Sequence, residues 1–102
     1  MNMLKEMLVE EYERNREMQQ VYQAEIEKLP RGSVVVKMNG KQEYCYLQYR
    51  EKDRVITKYI GRASDHEERL RTQVAERREF QRLLRRLRGE ERYLEKALRL
   101  HD

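Results

Sequence analysis

Leu4, Leu8, Tyr12, Asn15, Met18, Tyr22, Ile26 and Leu29 recur at steps of three and four residues, the spacing of one face of a helix. The first proline is Pro30, and the preceding residues are rich in Glu, Gln, Met, Leu and Lys, all good helix formers. The pattern predicts a helix over residues 2–28. Leu29-Pro30 ends it, since the residue before a proline is pushed out of the helical region. A second pattern is a strict heptad at Leu70, Gln73, Arg77, Phe80, Leu84, Leu87, Glu91, Leu94 and Leu98, widened by Val74, Leu83 and Ala97. It predicts a helix over residues 64–100, opened by the capping box Ser64-Asp65-His66-Glu67. Gly89 lies inside this heptad without disturbing its phase, so the helix is expected to run through it. Asn15 falls on the apolar seam of the first helix. There it either fixes register as a buried polar group or marks a seam wetted at its middle.

Between the helices the period changes from three-and-four to two. Ser33 to Met38 is β-branched enough for a strand, and Asn39-Gly40 predicts a two-residue type I′ hairpin turn. That turn sets Met38 opposite Lys41, Val36 opposite Glu43 and Val34 opposite Cys45. Side chains alternate along a strand, so Val34, Val36, Cys45, Leu47 and Tyr49 form a core face. Val35, Lys37, Gln42, Tyr44, Tyr46, Gln48 and Arg50 form an exposed one. Arg54 to Ile60 makes a third strand after a three-residue loop, Glu51-Lys52-Asp53, which sends Val55, Thr57 and Tyr59 inward and Arg54, Ile56 and Lys58 outward. A two-residue loop at Lys52-Asp53 would reverse every one of these assignments. The fold class is α+β and mostly α: two long helices in a coiled-coil-like hairpin, joined by a three-stranded antiparallel β-meander. One domain over residues 1–102 is expected, with helix in 1–29, meander in 30–62 and helix in 63–102.

Composition narrows the picture. Charged residues make up 41% of the chain and hydrophobic ones 38%, a ratio that suits helices burying one stripe each. The net charge of +4 is uneven: −3 over residues 1–30, +5 over 31–62 and +2 over 63–102. The basic excess is densest in the meander, where contact with a polyanion is most favourable. A single cysteine, Cys45, forms no internal disulfide and suits a small buried apolar group. His66 and His101 have no second ligand at helical spacing, and nothing in the chain calls for a cofactor. The start is polar and acidic, with no leader-like segment, and no apolar run approaches a membrane span. A cytoplasmic protein is expected.

L-P-R-G-S at 29–33, G-K-x-E-Y-x-Y-L-Q-Y-R-E at 40–51 and K-Y-I-G at 58–61 resemble a family of short uncharacterised bacterial proteins. These have a charged helix, a tyrosine-rich meander and a second charged helix. The resemblance implies the same layout and an origin in a phage, plasmid or other mobile element. It implies no activity. The chain departs from that family at Glu51-Lys52-Asp53, where a glycine-rich turn is common.

Two functions from different classes fit these features. In one, a nucleic-acid or nucleoprotein binder, the exposed sheet face (Lys37, Tyr44, Tyr46, Arg50, Arg54 and Lys58) stacks and neutralises the strand. Arg77, Arg78, Arg82, Arg85, Arg86 and Arg88 of the run RREFQRLLRRLR then contact phosphates. In the other, the same tyrosines and arginines anchor a protein partner, as in an inhibitor or adaptor such as an anti-CRISPR protein that occupies a nuclease's nucleic-acid-contacting surface. The arginine run has a third use, pairing with Glu6, Glu10, Glu11 and Glu13 of the first helix. The chain has no nucleophile–base pair, phosphate loop or paired acids, so neither an enzyme nor a small-molecule substrate is expected. Apolar faces left open by two helices point to a homodimer.

Overall fold

The computed structural model describes residues 2–101 and follows the two periods of the chain. The first helix, α1, runs over Met3–Lys28 and stops one residue before Leu29-Pro30. Three strands follow, β1 (Ser33–Asn39), β2 (Gln42–Glu51) and β3 (Arg54–Arg62), in an antiparallel sheet of order β1-β2-β3. The second helix, α2, is unbroken over Ala63–Leu100. At 26 and 38 residues the two helices make the chain mostly α. Met1 and Asp102, which the expected segments include, lie outside the described residues.

Contacts group the chain into two compact units, one of residues up to Glu27 and from Glu79 onward, the other Lys28–Arg78. In the first, α1 and the C-terminal part of α2 pair antiparallel. Tyr22 packs on Phe80 with ring centroids 5.6 Å apart, Asn15 Nδ2 donates to the Leu87 carbonyl at 2.9 Å, and Tyr12 Oη donates to Glu95 at 3.3 Å. The covered positions of α1 are Lys5, Leu8, Tyr12, Asn15, Gln19, Tyr22, Glu25 and Ile26, while Leu4, expected on this face, is exposed. Gln19 therefore takes the place expected of Met18, which is exposed. The reason is Asn15, which is buried, not wetted. Gln19 donates to its Oδ1 at 2.7 Å and also bonds Glu91, so a polar chain runs along the seam where a methionine would leave Asn15 half-satisfied.

Gly89 lies in mid-helix, and a Cβ added there meets only the end of Arg92, at 3.9 Å. The glycine thus costs backbone entropy with no steric need for it. Gly89→Ala is expected to raise stability by up to ~1 kcal/mol, read as a shift in urea midpoint at constant slope. A lower midpoint would show that the glycine serves the packing.

In the second unit, Cys45 and Leu47 of β2 meet Ala63, Leu70 and Val74 of α2, with Val34, Val36 and Ile60 packed around them. Cys45 is completely buried, and burial pushes its thiol up. The helix opens at Ala63, one residue before the expected cap Ser64. Two glycines of the motif segments take a positive φ, and at Gly32 the main chain also leaves no room for a side chain. A Cβ on Gly32 (φ +110°) would fall 2.4 Å from the Gln48 carbonyl oxygen, and one on Gly61 (φ +154°) would fall 2.5 Å from the His66 ring.

The sheet corrects two register expectations. Asn39 pairs with Gln42, Val36 with Cys45 and Val34 with Leu47, so the loop is Gly40-Lys41. Positive φ is confined to Gly40 (65°), where a type II′ turn places its glycine. The register has slid by two residues, which leaves the two faces as expected. The second loop is Lys52-Asp53, with Glu51 paired to Arg54 and Tyr49 to Ile56. It is two residues long, and the side chains from Arg54 to Tyr59 are reversed from the three-residue reading.

Candidate nucleic-acid interface

The solvent face of the sheet is built by alternation. Lys37 pairs with Tyr44 and Val35 with Tyr46 across β1 and β2, while Tyr46 pairs with Tyr59, Gln48 with Thr57 and Arg50 with Val55 across β2 and β3. Cross-strand neighbours on one face lie within reach of aromatic rings. Tyr59 packs edge-on to Tyr46 at 5.6 Å between centroids and tilted against Tyr44 at 6.2 Å. The Lys37 ammonium stands 5.1 Å from the centre of the Tyr46 ring, a cation–π contact. Tyr44 and Tyr46 are half-buried and Tyr59 is 56% exposed. A register shift between Cys45 and Tyr46 brings Arg62 opposite Tyr44. The result is a cluster of three touching tyrosines with Lys37, Arg50 and Arg62 on the same face.

Of the six sheet residues expected in the site, Lys37, Tyr44, Tyr46 and Arg50 share this face. Arg54 and Lys58 do not: they pair with Glu51 and Leu47 and so point to the opposite side of the sheet. Tyr59, Val55 and Arg62 take their place. The shorter loop is the reason, and it demands a positive φ of 55° at Lys52. A lysine accepts that conformation at a cost of about 1 kcal/mol, and a glycine would accept it freely.

The six arginines of the run at 77–88 divide by their partners. Arg77 Nη1 donates to the Leu29 carbonyl at 2.8 Å, and Arg78 Nη2 donates to the Gly32 carbonyl at 3.1 Å. Both therefore clamp the L-P-R-G-S turn. Arg77 Nε is buried without a partner. Arg82 bonds Glu79 one turn earlier, which holds the Glu79 carboxyl below the usual carboxylate range. Arg86 pairs with Glu90 at 3.3 Å. Arg85 and Arg88 are exposed. Arg82 and Arg86 thus pair within α2, in place of the expected pairing with the acids of α1. An ion pair across the seam has the opposite polarity, Arg16 of α1 with Glu91 of α2 at 3.6 Å.

Elsewhere on the sheet, Arg31 covers the ring of Tyr49 at 4.6 Å from its centre, on the core-side face. Among the described residues, no helix is long and apolar enough to cross a membrane. The molecule is thus a helix–meander–helix protein whose sheet presents an aromatic and basic face. Residues 8–72 match a domain of unknown function, DUF6788, and the chain belongs to that family. No curated protein and no solved structure matches it.

Proposed function

We propose that this protein is a non-enzymatic nucleic-acid-binding accessory protein that takes single strands on the tyrosine face of its meander. It acts in the cytoplasm and is encoded by a phage or another mobile element. The observation that carries the reading is the contact cluster of Tyr44, Tyr46 and Tyr59 on the solvent side of the sheet, with Lys37, Arg50 and Arg62 beside it. Aromatic rings on an open sheet stack bases, and cations at their margins meet the backbone. Every base has a π-face, so the binding is tolerant of sequence. Arg77 and Arg78 stay with the turn they clamp and contribute no phosphate contact.

Labelled single-stranded DNA, single-stranded RNA and duplex DNA, titrated by fluorescence anisotropy at rising salt, test this directly. Single strands are expected to bind more tightly than duplex. With three cations on the face, log K should fall with log salt at a slope of roughly −2. No binding at low salt, or equal preference for duplex, would overturn the reading. A protein-directed function, such as inhibition of a nuclease, is the second reading. Val55 favours it, since it is 55% exposed on the same face and offers apolar surface that a protein partner would bury.

A further inference from the structure

α1 carries a second stripe that its contacts with α2 leave uncovered. Leu4, Met7, Met18 and Val21 are 49%, 57%, 39% and 58% exposed. With Glu11 and Arg14 between them they recur at alternating steps of three and four: Leu4, Met7, Glu11, Arg14, Met18, Val21. That is the a/d spacing of a coiled-coil seam. None of the six is among the covered positions of α1, and at one edge Glu11 borders Arg86, Gly89 and Glu90 of α2.

The order of this stripe reads the same from either end. When a second copy of the helix is laid antiparallel on it, Leu4 meets the partner's Val21, Met7 meets the partner's Met18, and Glu11 meets the partner's Arg14. Each apolar position finds an apolar position, and each charge finds its opposite. A parallel copy would instead set Glu11 against Glu11 and Arg14 against Arg14, which like-charge repulsion disfavours. The Glu11 and Arg14 side chains are 56% and 64% exposed and already lie 2.8 Å apart on their own helix, so both are oriented along the stripe. A palindromic surface of this kind is what a two-fold interface requires, since the same patch must complement itself. We infer that the protein forms an antiparallel homodimer through this exposed stripe of α1, with the central Glu11–Arg14 layers setting orientation and register. The inference is independent of nucleic-acid binding, and its test reads mass alone.

Glu11→Arg and Arg14→Glu each place like charges in both central layers. Mixed together they restore opposite charges in both, because one chain then carries two cations and the other two anions. By light scattering at micromolar concentration, the unaltered protein is expected at twice the chain mass of 12.7 kDa. Each variant alone is expected at the monomer mass, and their equimolar mixture at the dimer mass. Both positions are on the exposed surface, so the variants should keep the helical circular dichroism of the parent. Met7→Glu, which buries a charge against the partner's Met18, should give a monomer by an independent route. An unaltered protein that stays monomeric would overturn the inference. So would variants that remain dimeric singly, or a mixture that stays monomeric.

Discussion

Replacing Tyr46 and Tyr59 together by alanine is expected to weaken single-strand binding by at least about 30-fold, since base–aromatic stacking contributes ~1–3 kcal/mol per ring. Tyr59 is the ring that both Tyr44 and Tyr46 touch. Its loss alone frees the other two to rotate, so the single and double changes should not add. Phenylalanine at both positions should retain most of the affinity, because stacking uses the ring and not the hydroxyl. The sheet core lies on the opposite side, around Cys45 and Leu47, and the double variant should stay folded by circular dichroism. Unchanged affinity in a folded double-alanine variant would remove the tyrosine face from the function.

The stacking cluster was only half legible in the chain, for a physical reason. Lys37, Tyr44, Tyr46 and Arg50 lie on β1 and β2, whose faces depend on parity alone. The hairpin register slid by two residues, from an expected Val34 opposite Cys45 to Val34 opposite Leu47, and parity survived. Tyr59 and Arg62 depend on β3, where a change of one residue in the loop inverts the strand. That loop turns on Lys52 at a φ of 55°, a conformation for which lysine carries no sequence signal. Adjacent Val55-Ile56 gives no alternation to decide between the two faces. Ile60 adds a further irregularity: it lies where the pairing shifts between Cys45 and Tyr46, and it packs inward against the core.

The helices were more legible because each buries a single stripe. The heptad from Leu70 to Leu98 is buried or half-buried at every position, and Gly89 leaves α2 unbroken. Charge was harder to read. Six arginines in twelve residues suggest one surface, yet Arg77 and Arg78 donate to main-chain carbonyls of the turn after α1, while Arg82 and Arg86 pair on their own helix. A guanidinium satisfies a carbonyl or a carboxylate equally well, so only the path of the chain decides which it meets.

Asn15→Asp is expected to destabilise the protein by ~2–5 kcal/mol at neutral pH, and by much less in acid. Asn15 is buried, and its amide donates to the Leu87 carbonyl at 2.9 Å while its Oδ1 accepts from Gln19. An ionised carboxylate has no proton to give. Two acceptors would then face each other at Leu87, with the Glu91 carboxylate close by through Gln19. Burial and the neighbouring negative charge both raise the folded-state pKa of the new acid above its unfolded value of about 3.9. Below the unfolded value the acid is protonated in both states, and its hydroxyl can donate to the Leu87 carbonyl. As the pH rises past that value only the unfolded state ionises freely, so the variant loses stability relative to the parent until the folded pKa is reached. Urea melts of variant and parent at acid and neutral pH measure the difference, and a constant gap between them would refute the buried donor role. Asn15→Leu separates stability from specificity: it should leave stability near the parent's, because a packed apolar group replaces a polar one. It would also remove the side-chain bond from the α1 seam to the Leu87 carbonyl of α2, and with it the contact that ties one register to Leu87.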